Sequence, residues 1–593
     1  MRKSRLFTML IVATVFLLSL PMYALAGWDD PTKPGWKDGE AKRGWIQSKI
    51  ENMTLEEKIG QLFIVHVYGK NPTDENYENV NISQNRGGKN FKDVIEKYKI
   101  GGVIYFNWTQ NIGTPLDATQ VNDLSNGLQD IAMDQRMPIP LFVSTDQEGG
   151  IVQRVTTPGT VFPGNMALGA TRSTEYASKS AGVLGTELKS LGINMNFAPV
   201  ADVNMNPANP VIGVRSFGED PQLVSDMTVA QVNAYQDQNV SATAKHFPGH
   251  GDTDVDSHYG LPQINHDLET LNNIDLKPFK AAIDAGIDSI MTAHIVVPAF
   301  DNSGLPATLS KPILTGVLRE QLGFDGLIIT DSLGMSGANV MEPERVPVEA
   351  FKAGADILLN PPDVDLAYNA MLEAVKNGEV SEKRLDESVY RILKVKMKRG
   401  LFEDPFTDAS ATQSIGTEEN LALAQEIANK SITLVKNENN VLPINDESQN
   451  LLVTGPSSAK PTLLSDLLNN EGLKSTSYKT NTWPTDAQIN AAVEQSQGAD
   501  KIIVTTYSAN TNNSQQKLVN ALLDTGKPVI VSAIRNPYDL MVFPEVDSYL
   551  ATYGYQDVSI EALSRVVTGE VNPSGKLPVT IPNLYDFGYG KSY

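Results

Sequence analysis

Residues 241–258 read SATAKHFPGHGDTDVDSH, a short apolar run that passes directly into a long polar segment. We predict a buried strand over residues 241–244 followed by a loop, because Pro248, Gly249 and Gly251 rule out a regular helix. The loop holds three of the six histidines of the chain, together with three aspartates and a lysine. These residues are Lys245, His246, His250, Asp252, Asp254, Asp256 and His258. Such a dense cluster predicts a chemically active site on a loop supported by a scaffold.

The same transition from an apolar run to a polar side chain occurs eight times before residue 361. The runs cover residues 61–65, 101–106, 140–145, 193–200, 241–244, 289–293, 326–331 and 355–360. Segments with apolar residues at helical spacing lie between them, among them residues 174–190, 221–236 and 268–285. This alternation predicts a (β/α)8 barrel of the TIM type, in which parallel strands are buried on both faces.

The residues that end the runs favour the barrel over an open doubly wound sheet, which is the alternative architecture. Nearly every run ends in a group capable of chemistry, namely His66, Asn107, Asp146, Asp202, Lys245, His294, Asp331 and Asn360. In a barrel the C-terminal ends of all strands meet at one mouth, so residues far apart in sequence can form one site.

The remainder of the chain predicts a second, smaller domain. A helix over residues 382–398 closes the barrel, and the polar stretch 403–417 follows as a linker. Apolar runs at 451–455, 502–507, 528–534 and 549–554, with helices at 419–428 and 514–523, predict a three-layer αβα sandwich. We therefore divide the chain into a signal peptide (1–26), a barrel domain (27–402), a linker (403–417) and a sandwich domain (418–593).

The amino terminus has the features of a secretory signal peptide. A basic start, an apolar run and the segment Ala24-Leu25-Ala26 predict cleavage after Ala26. An uncleaved membrane anchor is the alternative, which Pro21 and the small residues at the cleavage point disfavour. We expect a secreted protein, extracellular or associated with the cell wall, with no stable membrane anchor.

Composition excludes several classes of function. The chain has no cysteine, which excludes disulfides, a thiol nucleophile, a thiolate metal site and a lipidated cysteine. Removal of residues 1–26 leaves 45 Lys and Arg against 70 Asp and Glu, a formal charge of −25. Such an acidic surface repels nucleic acid and anionic lipid and favours uncharged or cationic substrates. We expect a monomer.

Two carboxylates at strand ends are candidates for catalysis. Asp331 in GLIITDSLGM could be a nucleophile, a general base, a metal ligand or only the cap of the next helix. Asp146 in STDQEGG has the same alternatives. Two such carboxylates in one barrel suit glycoside cleavage, whose oxocarbenium-like transition state requires a negative group below the ring and a proton donor above it.

The triplet Asp256-Ser257-His258 is the candidate proton donor. An aspartate two residues before a histidine can accept a hydrogen bond from one imidazole nitrogen, which fixes the tautomer for acid/base work. A calcium loop is disfavoured because Ser257 and Gln263 stand where glycine and glutamate are required. A helical zinc site is excluded by Pro248, whereas a non-helical metal site that includes His258 stays an alternative.

Cationic and polar side chains at the strand ends are candidates for substrate binding. They are Arg154, Arg215, Lys245 and His246. A single arginine is more often part of a surface ion pair. As a set at one barrel mouth, these residues are better explained as binding groups for hydroxyl and carbonyl oxygens.

Four segments, taken together, resemble a known family. STDQEGGIVQR, GVRSFGEDP, KHFPGHGDTDVDSH and ITDSLGM resemble, in this order, motifs of the bacterial β-N-acetylglucosaminidases of glycoside hydrolase family 3. The resemblance covers residues 50–400. The second domain looks like the sandwich that follows the barrel in many members, and SGKLPVTIP near its end is a weaker match.

The resemblance implies a retaining glycosidase without metal or organic cofactor. It implies that Asp331 is the nucleophile and that His258, oriented by Asp256, is the acid/base. In the glucosidase branches of the family, a glutamate from the second domain has the acid/base role instead. The resemblance also implies a pocket that holds the sugar through Asp146, Arg154, Arg215, Lys245 and His246.

The implied function is exo-cleavage of terminal β-linked N-acetylglucosamine from cell-wall muropeptides. Chitooligosaccharides are the alternative substrate. Phosphorolysis is the alternative reaction, because a histidine has no fixed negative charge that would repel phosphate. A non-catalytic glycan-binding protein is the alternative from another class, and the presence of every reactive position disfavours it.

Overall fold

A computed structural model describes residues 39–593, so the predicted signal peptide lies outside the described residues. The chain divides into a unit that ends at Asn52, with the helix Gly39–Asn52, and a unit that covers Met53–Tyr593. Both β-sheets belong to the larger unit. No helix among the described residues is long and apolar enough to cross a membrane.

The first sheet of the larger unit is an eight-stranded parallel barrel. Its strands are β1 (Phe63–Val65), β2 (Gly102–Ile104), β3 (Phe142–Thr145), β4 (Met195–Asn196), β5 (Ser241–Phe247), β6 (Ser289–Thr292), β7 (Leu327–Ile329) and β8 (Leu358–Leu359). Neighbours in sequence pair in space, β8 pairs with β1, and a bridge between Ile329 and Ile357 joins the two ends. The barrel prediction is confirmed, and the doubly wound alternative is wrong.

Strand β5 extends further than the sequence analysis predicted. It continues to Phe247, so Lys245 and His246 belong to the strand end and not to the loop. The backbone of Lys245 pairs with the chain after β4, where the amide of Ala201 donates to its carbonyl at 2.7 Å. Pro248 and Gly249 end the strand only after these two side chains have been fixed on the barrel.

Helices of the barrel domain connect the strands. They are Leu55–Gln61, Glu78–Ser83, Phe91–Tyr98, Ala118–Met133, Asn165–Thr171, Thr174–Ser190, Pro221–Asp237, Leu268–Thr270, Lys277–Asp284, Arg345–Ala353, Val364–Lys376 and Glu382–Lys398. The helix predicted over 268–285 is interrupted by the π-helical segment Leu271–Asp275, and a second π-helical segment covers Pro312–Gln321. Side-chain caps fix several starts, for example Ser173 and Asp220, as expected for serine and aspartate at this position.

The second sheet confirms the predicted sandwich. Its strands are β9 (Thr433–Asn437), β10 (Asn450–Pro456), β11 (Lys474–Thr480), β12 (Lys501–Thr506), β13 (Val529–Ala533) and β14 (Ser548–Ala551), in the order β11-β10-β12-β13-β14-β9. Only β9 runs antiparallel to its neighbour. Helices Glu418–Ser431, Pro461–Asn470, Asp486–Ser496, Asn513–Leu523 and Asp557–Thr568 complete the domain.

Alternation of side chains along the central strands gives the sandwich two apolar cores. Ile503 and Ile530 belong to one core, whereas Val504 and Val531 belong to the other. Successive side chains of a strand point to opposite faces, so a sheet covered on both sides requires apolar residues at every position. This explains why β12 and β13 were recognisable in the sequence as continuous apolar runs.

The stretch 403–417, predicted as a linker, is fixed to the barrel helices. It contains the short helical turn Ala409–Ser414. The backbone amide of Gly416 donates to the buried Glu187 carboxylate at 2.9 Å, and Asn126 donates to the carbonyl of Thr407 at 2.9 Å. The segment therefore has defined contacts along the barrel.

The sandwich packs against loops at the mouth of the barrel. Apolar residues of both domains form one buried cluster, made of Met166, Ala167, Ala170, Val214, Tyr538, Ala551, Tyr553 and Val579. Gln556 donates to the carbonyl of Gly150 at 2.6 Å, and Thr580 donates to the Glu219 carboxylate at 2.6 Å. The second domain thus supports the loops that follow β3 and β4.

Candidate active site

The C-terminal ends of the barrel strands surround a pocket of about 320 Å³. Seven of the eight predicted site residues line it, namely Asp146, Arg154, Arg215, Lys245, His246, His258 and Asp331. The eighth, Asp256, lies beside the pocket in contact with His258. The barrel therefore brings together side chains from the ends of β3, β4, β5 and β7.

Asp331 follows β7 and reaches the pocket from the barrel wall. One of its carboxylate oxygens accepts a hydrogen bond from the Ser332 amide at 2.7 Å. Removal from water raises the pKa of Asp331, but His246, His294, Lys245 and that amide outweigh burial and hold it below its ordinary value. The carboxylate is therefore ionised at neutral pH. The next helical turn begins at Ser336 without an Asp331 cap, so the capping interpretation is wrong.

His258 lies across the pocket on the loop that follows β5. Its Nδ1 lies 2.7 Å from Asp256 Oδ1, and its backbone amide donates to the same oxygen at 2.9 Å. An ionised carboxylate at Nδ1 selects the tautomer in which Nδ1 carries the proton. Nε2 is then the nitrogen left to exchange a proton. The His258 side chain is 53% exposed, so water and a leaving group can reach it.

A buried ion network forms the floor of the pocket around Glu148. Arg215 donates two hydrogen bonds to this carboxylate, at 2.9 and 2.8 Å, and Lys245 Nζ lies 2.8 Å from it. Burial raises the pKa of Glu148, but the charges of Arg215 and Lys245 outweigh it and hold the pKa below its ordinary value. Burial lowers the pKa of Lys245, but the charges of Asp146 and Glu148 outweigh burial and raise it above its ordinary value. Both partners therefore stay charged.

Two members of this network are open to a ligand. Asp146 accepts from Lys245 at 2.8 Å, and its other oxygen lies 3.7 Å from Arg154. Three cations and the carboxylates Asp146, Glu148 and Asp331 line the pocket, so their formal charges cancel. Neutral polyhydroxylated ligands suit such a pocket, because charged donors and acceptors form strong hydrogen bonds to hydroxyl groups.

Neighbouring loops hold the pocket residues in place. Gln147 accepts from the amides of Arg154 and Val155, at 2.7 and 3.0 Å. Asn107, one of the predicted strand-end residues, donates to the carbonyl of Arg154 at 2.9 Å. These contacts fix the turn after β3 that presents Arg154.

Asp202 orients His246 and ties the root of the β5 loop to the barrel. His246 Nδ1 lies 2.7 Å from Asp202 Oδ2, and the backbone amide of His250 donates to Oδ1 at 2.7 Å. Burial, with His246 nearby, lowers the pKa of His250 to about 4, and its ring nitrogens contact Thr253 and Ser257. His250 is therefore a neutral structural residue of the loop.

The remaining acidic residues of the loop have separate partners. Asp252 lies 2.8 Å from His266 Nε2, whereas Asp256 binds His258. Across residues 39–593, no group of three or more His, Cys, Asp and Glu side chains is placed to hold a metal ion.

Two further strand-end residues, His294 and His66, lie behind the pocket, and a third, Asn360, lines it. His294 Nε2 lies 3.0 Å from the carbonyl of Ser332, next to Asp331. His66 Nδ1 contacts Asn360, and burial together with Arg86 lowers the pKa of His66 to about 3. These residues support the wall that carries Asp331.

Among the pocket residues that sequence reasoning did not single out, Glu148 and Trp108 stand out by their chemistry. Glu148 stands in the STDQEGG segment two residues after Asp146, and that spacing was the available signal. Trp108 follows β2, is 50% exposed and stacks on Phe106 with a centroid distance of 4.7 Å. Its ring provides an apolar wall at the pocket.

Comparison with known proteins identifies the family. Residues 54–395 match the glycosyl hydrolase family 3 N-terminal domain, and residues 432–593 match its C-terminal domain. The chain is 36% identical to beta-hexosaminidase A of Pseudoalteromonas piscicida, over 82% of this chain and 90% of the relative. It is 29% identical to a beta-N-acetylglucosaminidase/beta-glucosidase of Cellulomonas fimi, over 90% of this chain and 95% of the relative.

A solved structure supports the same assignment. The family 3 beta-N-acetylglucosaminidase of Paenibacillus sp. str. FPU-7 superposes with a TM-score of 0.80 at 35% identity, covering 89% of this chain and 99% of that one. Both domain matches and the barrel-then-sandwich order agree with this likeness. The chain therefore belongs to glycosyl hydrolase family 3 and is a glycoside hydrolase.

Proposed function

We propose that this enzyme removes terminal β-linked N-acetylglucosamine by a retaining mechanism, with Asp331 as nucleophile and His258 as acid/base. The observation that carries the proposal is that both side chains line one pocket, although they come from the loops after β7 and β5. Relatives named for β-hexosaminidase and β-N-acetylglucosaminidase activity support the choice of sugar.

The first step forms a glycosyl-enzyme ester. An oxygen of the Asp331 carboxylate attacks the anomeric carbon as the bond from that carbon to the leaving oxygen breaks. The proton on His258 Nε2 passes to the leaving oxygen, so the departing group is a neutral alcohol. Asp256 beside Nδ1 stabilises the protonated imidazole that this step requires.

The second step releases the sugar. His258 Nε2, now without its proton, accepts one from a water molecule, whose oxygen attacks the anomeric carbon. The ester bond breaks and returns the electron pair to the Asp331 carboxylate. Two displacements at the same carbon restore the β configuration, and the enzyme ends in its starting protonation state.

The ion network holds the sugar for both steps. Asp146 and Arg154 are the exposed members, at 17% and 26% of their side chains, and are placed to bind hydroxyl or carbonyl oxygens. Glu148 holds Lys245 and Arg215 rigid, so no reorganisation of charge is needed when substrate binds. His246, fixed by Asp202, completes the pocket.

We propose muropeptides and related cell-wall fragments as the physiological substrates, with a secreted enzyme acting outside the cell. The predicted signal peptide and the neutral pocket support this assignment. Chitooligosaccharides share the terminal sugar and are the second substrate candidate. Phosphorolysis is the second reaction candidate, because the group above the sugar is an imidazole and not a carboxylate.

Product analysis on GlcNAc-MurNAc and on chitobiose, with and without inorganic phosphate, tests these assignments. Hydrolysis releases free N-acetylglucosamine in both buffers, whereas phosphorolysis releases the sugar 1-phosphate only with phosphate. Faster cleavage of GlcNAc-MurNAc supports the muropeptide, and faster cleavage of chitobiose contradicts it. Binding of N-acetylglucosamine without turnover of either disaccharide would reject the enzymatic proposal.

A trapped intermediate tests the nucleophile directly. A fluorinated N-acetylglucosaminide slows the second step, so the ester accumulates and peptide mass mapping locates it. We expect the label on the peptide that contains Asp331. A label on another residue rejects the assignment, and the absence of any enzyme-bound sugar would instead favour attack by the 2-acetamido group of the substrate.

A further inference from the structure

The loop that carries His258 is held at two places. At its root, the carbonyl of Val203 lies so close to Gly251 that a Cβ there would meet it at 1.7 Å. Towards its tip, near His258, the partner is the chain that follows the nucleophile. The amide of Gly337 donates to the carbonyl of Ser257 at 3.1 Å, and the amide of Ser336 donates to the carbonyl of His258 at 3.4 Å. We call this pair of hydrogen bonds the clasp.

Gly337 lies against the His258 loop with no room for a side chain. A Cβ at this position would meet the Cβ of His294 at 2.8 Å, the carbonyl of Gly260 at 3.0 Å and that of Ser257 at 3.1 Å. Its backbone is not in the left-handed region that favours glycine. The position therefore requires glycine because of the close approach of the loop and not because of backbone conformation.

The clasp joins the segment of Asp331 to the segment of His258, and its residues lie close in sequence to both. Gly337 lies six residues after Asp331, and Ser257 immediately precedes His258. His294, whose Cβ is the nearest atom to a Cβ built at Gly337, also contacts the carbonyl of Ser332 beside Asp331. The distance between nucleophile and proton donor is therefore set by a packed contact as well as by the strand positions.

We propose that Gly337 is a positioning residue for the proton donor, and the proposal rests on the proposed roles of His258 and Asp331. Because glycine has no side chain, the segment after Asp331 can approach the backbone of residues 257 and 258 and form the clasp. This contact holds the His258 imidazole at the height of the leaving oxygen. A side chain at residue 337 meets the carbonyls of Ser257 and Gly260 as well as the Cβ of His294. We expect the loop to move more than Asp331, because the loop has no regular structure whereas Asp331 directly follows β7.

The substitution Gly337→Ala tests the proposal through its dependence on the leaving group. We expect kcat/KM for GlcNAc-MurNAc to fall roughly tenfold or more, because its sugar alkoxide leaves only when protonated. The value for a dinitrophenyl N-acetyl-β-glucosaminide should fall less than about threefold, because this group leaves without a proton. A general loss of structure would reduce both values equally.

Gly334→Ala is the matched control, three residues earlier in the same segment. A Cβ at Gly334 meets only ordinary contacts, at 3.6 Å from Ser332 and 3.8 Å from the carbonyl of Asn360. We expect this variant to retain kcat/KM for both substrates within about twofold. Thermal unfolding of both variants verifies that each is folded at the assay temperature.

The double variant with His258→Ala separates this proposal from the proposed function. If His258 is the proton donor and Gly337 acts through it, Gly337→Ala adds no further loss on GlcNAc-MurNAc once the imidazole is absent. Independent, multiplicative losses overturn the positioning role. Equal losses on both substrates for His258→Ala alone would reject the acid/base assignment itself, whatever Gly337→Ala does.

Hydrogen exchange of the wild-type enzyme gives a test that does not depend on folding of the variant. The clasp requires slow exchange of the amides of Ser336 and Gly337, because both are hydrogen-bonded. Fast exchange of these amides in a folded enzyme overturns the proposal, as does an unchanged kcat/KM for GlcNAc-MurNAc in Gly337→Ala.

Discussion

Residues that the sequence placed at separate strand ends share one electrostatic environment in the folded chain. Asp331 is held ionised by the cationic side of the pocket, and Glu148 is held ionised by Arg215 and Lys245. His258 is different, since only Asp256 contacts its ring nitrogens among the described residues. The pocket thus combines ionised carboxylates with one exposed imidazole. A retaining glycosidase needs such a pair of an ionised carboxylate and a separate proton donor.

Replacement of Asp331, the proposed nucleophile, should remove turnover without removing the fold. We expect Asp331→Ala to reduce kcat by at least about a thousandfold, or ~4 kcal/mol of activation free energy. Within residues 39–593, the Ser332 amide is the one hydrogen-bond donor to this side chain, so the loss of contacts is small. Rates with a chromogenic N-acetyl-β-glucosaminide and circular dichroism measure both effects. Activity within tenfold of wild type contradicts the assignment.

The effect of replacing His258, the proposed proton donor, should depend on the leaving group of the substrate. We expect His258→Ala to slow natural disaccharides by roughly a hundredfold or more, and activated aryl glycosides far less, in kcat/KM. Asp256→Asn should show the same pattern in weaker form, because an amide still orients Nδ1 but supplies no negative charge. A set of aryl glycosides with graded leaving groups measures the dependence. An unchanged slope for His258→Ala would rule out this residue as the acid.

Loss of the buried carboxylate destabilises the protein. Glu148→Gln removes the main counter-charge of Arg215 and one of the two counter-charges of Lys245. Removing one partner of a buried ion pair costs about 3–5 kcal/mol. The matched control is Glu175→Gln, which breaks an exposed pair with Lys179. Such surface pairs contribute little to stability, because solvent screens them. Denaturant unfolding of both variants measures the difference, and equal stabilities contradict the buried network.

At the scale of the element, the β5 loop is attached to the barrel domain through His266. Its ring lies 2.8 Å from Asp252 in the loop and 2.8 Å from the buried Asp275. The hydrogen bond that His266 donates to Asp275 raises the pKa of His266 to about 9, despite partial burial, with Asp252 adding to the effect. The imidazolium, with a hydrogen bond to each of two carboxylates, therefore fixes a loop that has no regular structure of its own.

This attachment predicts a loss of stability at alkaline pH. The folded protein keeps the His266 proton up to a pKa of about 9, whereas the unfolded chain releases it near the ordinary pKa of about 6.5. The contribution is complete below about pH 6.5 and is lost as the pH rises through about 9. We expect the melting temperature of His266→Gln to fall less steeply with pH than that of the wild type between about pH 6.5 and 9. A wild-type slope in the variant contradicts the assignment.

At the scale of the whole molecule, the sandwich domain supports the barrel mouth and does not line the described pocket. All residues that line the pocket belong to the barrel domain. The sandwich contributes the apolar cluster around Tyr538 and Tyr553 and the hydrogen bond from Gln556 to Gly150. Gly150 lies between Glu148 and Arg154, so this contact acts on the turn that presents both side chains.

Removal of the sandwich therefore impairs the barrel. A chain ended after residue 402 exposes Met166, Ala167 and Val214 and leaves the turn after β3 without its support. We expect this variant to aggregate in size-exclusion chromatography and to lose turnover of a chromogenic N-acetyl-β-glucosaminide. Trp483→Ala is the control, since this side chain is 62% exposed and lies in the sandwich. A soluble, active barrel would show that the second domain is dispensable for catalysis.

Strand prediction succeeded where burial was two-sided and failed at the sandwich edges. All eight barrel strands fall within or overlap the predicted runs, because both faces of each strand are covered and their buried positions are mostly apolar or small. β11, with the sequence KSTSYKT, is an edge strand whose side chains are largely polar, so it gives no apolar run. β9, with the sequence TLVKN, also lies at an edge and has only two consecutive apolar residues.

The sequence alone determined the barrel, the sandwich and most of the polar residues at the mouth, because strand burial and the polar residues that follow each strand are local patterns. Only the tertiary structure decided how those residues are connected. The pairing of Glu148 with Arg215 and Lys245, the extension of β5 through His246 and the contact of Gly337 with the His258 loop all depend on segments distant in sequence. Such contacts arise from the packing of loops at the barrel mouth, which no periodicity in the chain records.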